Sequence, residues 1–162
     1  MKLIIARHGE AESFSSSGYD KDRSLTSKGE SDIAKIGQFI ANSPLTINRI
    51  FHSPYLRTRQ TAEIICKQQE NQELFAESSP LLTPSCDYVN FLPQLSGSSN
   101  SACVLIVGHN PDVSFFAARL IKDSSLQTAL IFQPGTTIAI NVAKEKFSQG
   151  QLIWCISPDF LS

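Results

Sequence analysis

Lys2-Leu3-Ile4-Ile5-Ala6-Arg7-His8-Gly9-Glu10 is the stretch around which the rest of the chain is arranged. Leu3 to Ala6 is a short continuous apolar run, as expected of a strand covered on both faces in an α/β sheet, although periodicity alone leaves a buried helical turn open. The run stops at Arg7-His8-Gly9. Ligands of such sheets gather beyond the carboxyl ends of the strands. A histidine there can act as nucleophile or general base, and an arginine beside it offers a planar fork of donors to phosphate or carboxylate. Gly9 allows another group to come close to the backbone.

The same arrangement recurs. Cys103 to Val107 is a second buried run, and it ends at Gly108-His109-Asn110-Pro111-Asp112. Arg49-Ile50-Phe51-His52 reads as a strand cut off by Ser53-Pro54, with Pro54 placed for the first turn of a helix from Tyr55 to about Gln69. That helix is expected to turn Leu56, Ile64 and Ile65 inward and to expose Arg57 and Arg59 near its amino end. An earlier helix opens near Leu25: Ser27 and Glu30 have capping-box spacing, Thr26 is the alternative cap, and Ile33, Ile36 and Ile40 form one apolar face that ends near Asn42. Leu74 to Ala76 reads as a short strand, Tyr88 to Leu95 as a helix, and Pro111 starts a helix running to about Ile121. Thr137 to Val142 and Gln151 to Ile156 read as strands joined by a polar turn around Lys144 to Gly150. That short link favours an antiparallel hairpin and hence a mixed sheet.

At 162 residues and 17.8 kDa, the chain is sized for one domain spanning residues 1–162. A net charge of −1 gives no bulk attraction to nucleic acid or anionic membrane, so neither is an expected partner, and a monomer is expected. The amino-terminal apolar run is too short for a signal peptide and no run reaches membrane-spanning length, which points to the cytoplasm. Cys66, Cys86, Cys103 and Cys155 form no C-x-x-C pair. Cys103 and Cys155 lie in apolar strand-like runs, so buried free thiols are expected rather than disulfides or a metal site.

Ser13 to Asp20 is polar and long for a connection, and a mobile loop at the rim of the site is the natural reading. If the three strand ends meet, they bring together Arg7, His8, Arg57 and His109 with no evident partner carboxylate. Such a pocket suits an anion. A phosphoryl group fits best, because arginine makes bidentate contacts to its oxygens and neutral histidine can attack phosphorus.

Four separated motifs stand in order: Arg7-His8-Gly9-Glu10, Leu25-Thr26-x-x-Gly29, Ser53-Pro54-x-x-Arg57-x-x-Gln60-Thr61-Ala62, and Gly108-His109-Asn110. In these the chain resembles the histidine phosphatase superfamily, also called phosphoglycerate mutase-like. Its short length, Leu82-Thr83-Pro84 and Trp154-x-x-Ser157-Pro158 resemble the SixA-type phosphohistidine phosphatases within it. The resemblance implies a three-layer α/β sandwich around a mostly parallel, mixed central sheet. It implies His8 as a transiently phosphorylated nucleophile, with Arg7, Arg57 and His109 binding the phosphoryl oxygens and Arg23 lining the mouth. It also implies a metal-independent enzyme without cofactor, acting on a phosphorylated protein such as a histidine phosphotransfer signalling domain. The alternatives are a small-molecule or general phosphomonoesterase on the same fold, or a catalytically idle anion-binding module. Many monoesterases of this superfamily protonate the leaving oxygen with a glutamate from an insertion. Here that stretch is brief, with Glu77 and Asp87 its nearby acids, and neither has the expected context. His52 matches no motif and is expected to pack, and Arg59 to sit on a solvated helix surface.

Overall fold

A computed structural model describes residues 1–71, 73–143 and 147–162. β1 (Lys2–Arg7), β2 (Arg49–His52), β3 (Ala76–Ser78), β4 (Cys103–Gly108), β5 (Thr137–Ala143) and β6 (Ser148–Ile156) form one sheet in the order β3-β2-β4-β1-β5-β6. The first four strands are mutually parallel where they pair, whereas β5 runs antiparallel to β1 and β6 antiparallel to β5. The expected mixed, mostly parallel sheet is therefore present. Of the turn expected around Lys144 to Gly150, residues 144–146 lie outside the described residues, and Gly150 belongs to β6 rather than to the turn.

The continuous apolar runs arise because both sheet faces are covered. Ile4 and Ala6 of β1 and Cys103, Leu105 and Val107 of β4 face Ile33, Ile36 and Ile40 of α1 (Ser27–Ala41) and Ala62 and Ile65 of α2 (Leu56–Lys67). The alternate residues, Leu3, Ile5, Val104 and Ile106, face α3 (Asp112–Ile121) and the 3-10 helix Tyr88–Leu95. Each fully buried Leu, Ile or Val side chain among these contributes about 1.5–3 kcal/mol relative to exposure. The result is a three-layer α/β sandwich.

Local expectations fare unevenly. Thr26, not Ser27, is the α1 cap: its side chain accepts from the Gly29 N–H at 3.0 Å. Its own hydroxyl donates to Glu10 Oε1 at 2.9 Å, which ties the helix start to the residue after Gly9 and decides between the two caps. Gly29 is required by the same approach, because a Cβ there would lie 2.1 Å from the Glu10 carbonyl oxygen. Pro54 precedes α2 rather than sitting in its first turn, since the cap is Tyr55. The third strand falls at Ala76–Ser78, two residues later than Leu74 to Ala76, because pairing with β2 sets its position. Tyr88 to Leu95 is helical but of the 3-10 type, with Pro93 inside it. Cys155 is exposed rather than buried: on edge strand β6 its neighbour Trp154 takes the inward position, edge-on to Phe39 at 5.1 Å. All four cysteines are free thiols.

Candidate active site

Register brings the strand ends together. Arg7 at the end of β1 pairs with Gly108 of β4, and the His8 N–H donates to the Gly108 carbonyl at 3.1 Å. On the other side of β4, the Ser53 N–H donates to the Val107 carbonyl at 3.2 Å. His8, Ser53 and His109 thus leave three adjacent parallel strands at one edge. The Gly9 N–H donates to Thr61 Oγ1 at 3.1 Å, and that hydroxyl donates to the Arg57 carbonyl at 2.8 Å. One buried threonine therefore locks the end of β1 to the turn of α2 that carries Arg57.

Arg57 is buried, against the expectation of an exposed helix position, because the first turn of α2 faces the strand ends rather than solvent. Arg59, two residues on, does point to solvent and reaches Glu63 at 3.7 Å. The Arg57 guanidinium is the hub of the pocket. Its Nε donates to His8 Nε2 at 3.3 Å, and its Nη2 lies 3.5 Å from His109 Nδ1. Its Cζ lies 4.8 Å from the Tyr55 ring centroid, and Tyr55 in turn meets the His109 ring edge-on at 5.0 Å. The two histidine rings are 5.3 Å apart. Arg7 spends Nη1 on the Phe132 carbonyl at 2.6 Å, while its buried Nε donates to no group among the described residues.

The partners fix the histidine tautomers. His8 Nδ1 lies 2.7 Å from the Gly9 carbonyl, which can only accept, so Nδ1 carries the proton and Nε2 presents its lone pair. His109 Nδ1 faces a guanidinium, which can only donate, so its proton resides on Nε2, 3.0 Å from Ser53 Oγ. Both rings are held neutral. Burial, then the positive charges of Arg57 and Arg7, push His8 down to about 4, the Gly9 carbonyl opposing them. Burial, with His8 and Arg57 beside it, pushes His109 down to about 3. The backbone of His109 is set from below: its N–H donates to Tyr88 Oη at 3.1 Å, and that hydroxyl donates to the Leu82 carbonyl at 2.8 Å.

The structure therefore unites Arg7, His8, Arg57 and His109. Arg23 stands one carboxylate further out: its Nη1 pairs with Asp20 Oδ1 at 2.7 Å, and Asp20 Oδ2 pairs with Arg57 Nη2 at 3.0 Å. The expectation of a pocket without a partner carboxylate is thus corrected. Asp20 was hidden because the loop that carries it folds back across the site, a long-range event without a local pattern. Glu77 and Asp87 are elsewhere. Glu77 pairs with Arg49 on β2 at 3.2 Å, and Asp87 caps the 3-10 helix and meets Arg119 at 3.3 Å. His52 is buried with Nδ1 on the Ser53 carbonyl, outside the cation cluster. Ser53, Tyr55, Thr61 and Tyr88 complete the site; the first three flank Arg57 in sequence, but their roles follow from distances alone. Among the described residues, no group of three or more His, Cys, Asp or Glu is placed to hold a metal ion.

A sheet of this order, with two arginines and two neutral histidines at its carboxyl edge, has the architecture of the phosphoglycerate mutase-like α/β class. The sequence profile of the histidine phosphatase superfamily (branch 1) matches residues 3–79. The chain is 31% identical over 163 residues to the phosphohistidine phosphatase SixA of Escherichia coli K12, covering 98% of this chain and 94% of that protein. The chain belongs to the histidine phosphatase superfamily. A solved structure of the protein histidine phosphatase SixA complexed with tungstate superposes with a TM-score of 0.84 at 26% identity, covering 98% of each chain. The alpha-ribazole phosphatase of Shigella flexneri shares the fold at a TM-score of 0.72 and 17% identity, covering 98% of this chain and 97% of that one.

Proposed function

We propose that this chain is a metal-independent phosphohistidine phosphatase that works through a phosphorylated His8, acting as a cytoplasmic monomer on a histidine phosphotransfer signalling protein. The observation that carries the reading is the His8 ring itself, with Nδ1–H on the Gly9 carbonyl and the Nε2 lone pair facing the cation cluster. His8 Nε2 attacks phosphorus and the P–N bond to the substrate imidazole breaks, while the departing ring takes a proton from solvent on its distal nitrogen. Because Nδ1 keeps its proton, phosphorylated His8 is an imidazolium, itself a good leaving group. Water then attacks phosphorus, inorganic phosphate leaves, and Nε2 regains its lone pair.

Arg57 and the Nε of Arg7, which has no acceptor among the described residues, supply donors for the equatorial oxygens, where charge develops. Ser53 can accept from His109 Nε2 or donate to it. When it donates, the His109 proton moves to Nδ1, the nitrogen beside Arg57 that would face a phosphoryl oxygen. Similarity to a protein solved with tungstate, an oxyanion, supports an oxyanion ligand for this chain. The cationic donor set can stabilise the transferring group without a metal. Purified protein in EDTA should turn over a phosphorylated histidine phosphotransfer domain far faster than phosphoserine or a sugar phosphate. Comparable rates on all three would favour a general monoesterase, no turnover of any an idle binding module, and dependence on added magnesium a metal-assisted reaction.

A further inference from the structure

Both terminal nitrogens of Arg57 already have an acceptor. Nη1 donates to the Asp20 carbonyl at 2.7 Å and Nη2 to the Asp20 carboxylate at 3.0 Å. Both acceptors belong to one residue of the 3-10 turn Asp20–Asp22, on the loop between β1 and α1. The second carboxylate oxygen is held by Arg23 Nη1 at 2.7 Å. A carboxylate bridging two guanidiniums at the mouth of an anion pocket has the charge and the planar two-oxygen geometry of a bound ligand. The arrangement is asymmetric: Arg57 is buried, while the Asp20 side chain is 56% exposed. The carboxylate can leave to water, and Arg57 cannot follow it.

We infer that Asp20 is a specificity-determining residue, an internal anion that occupies Arg57 at rest and that an incoming phosphoryl group must displace. Its charge also bears on chemistry. Burial raises it, but the hydrogen bonds and charges of Arg23 and Arg57 together outweigh that and hold it below the usual carboxylate range, so it is ionised and cannot protonate a leaving group. Its effect is therefore on which anions enter. Free phosphate and small esters must displace it with the phosphoryl group alone. A protein substrate brings further contacts to the same loop, where Phe14 and Tyr19 are 87% and 65% exposed. Those contacts offset the displacement, so the loop favours phosphoryl groups carried on a macromolecule. This last step rests on the phosphoprotein reading proposed above, whereas the displacement itself does not.

The test separates the two. Inorganic phosphate is titrated calorimetrically into wild type, Asp20→Asn and Asp20→Ala. Asparagine keeps the shape and the backbone contact to Nη1 while removing the charge. Both variants should bind phosphate about tenfold more tightly, the worth of one charge-assisted hydrogen bond. They should also hydrolyse an aryl phosphate with lower KM, and show a smaller ratio of kcat/KM for phosphoprotein over aryl phosphate. Unchanged or weaker phosphate affinity overturns the inference, as does accumulation of phosphoenzyme with lost kcat, which would make Asp20 a catalytic group. Tighter phosphate binding in a protein inert toward phosphohistidine would leave the displacement standing and refute the substrate reading.

Discussion

Thr61→Val tests whether one hydroxyl aligns the nucleophile with its principal donor. Valine matches threonine in shape, so packing at this fully buried position is retained. The hydroxyl it removes is the acceptor for the Gly9 N–H at 3.1 Å, one residue after His8, and the donor to the Arg57 carbonyl at 2.8 Å. The carbonyl keeps its helix partner and loses little. The buried Gly9 N–H is left without an acceptor, which costs about 1–3 kcal/mol. For a chain of this length, that corresponds to a fall in Tm of about 2–12 °C. Activity should fall by more than stability implies, because β1 and α2 then lose the link that sets the His8 to Arg57 spacing. A misplacement of about 1 Å can cost about 10²-fold in rate. Urea unfolding and aryl phosphate turnover on wild type, Thr61→Val and Thr61→Ser measure both. Serine keeps the hydroxyl and gives up one methyl, about 1 kcal/mol, and should stay near wild type in kcat/KM. A valine variant as stable and as active as wild type would refute the role given to Thr61.

Gly29→Ala should destabilise by about 3 kcal/mol or more in urea unfolding, although helix propensity alone favours alanine by about 1 kcal/mol, because the new Cβ meets the Glu10 carbonyl 2.1 Å away. Stability should fall as pH drops from about 6.5 towards 4. His8 titrates near 4 when folded and near 6.5 when unfolded, so the unfolded chain binds more protons across that window. His109 and His52 shift in the same direction, so His8→Gln should lessen that slope without abolishing it, read as urea midpoints against pH. With Asp20 ionised and no other carboxyl group in the pocket among the described residues, rates over a series of aryl and alkyl phosphates should depend steeply on leaving-group pKa, since a positioned acid typically contributes about 10²- to 10⁴-fold. Glu77→Gln and Asp87→Asn should leave that slope unchanged.

The layers and the strand ends were legible because burial on both faces writes itself as continuous apolar runs: Leu3 to Ala6 and Cys103 to Val107 could be read before any coordinate. The chemistry at those ends was legible for the same reason, since His8 and His109 interrupt the runs abruptly. What the sequence hid depends on contacts between distant segments. The burial of Arg57 follows from its contacts with His8 and His109 at the ends of other strands. The choice of Thr26 over Ser27 is decided by Glu10, sixteen residues away. The exposure of Cys155 follows from β6 lying at an edge of the sheet, which a hydrophobic run does not announce. Asp20 is the most consequential omission, because a polar loop carries no periodicity that could say what it folds over.

Trapping the covalent intermediate tests the central claim most directly. Protein mixed briefly with labelled substrate and quenched in alkali should retain phosphate that is stable to base and labile to acid, with the label on the peptide containing His8 and absent from His8→Ala. Label that survives acid, or that persists in His8→Ala, would contradict His8 as the nucleophile.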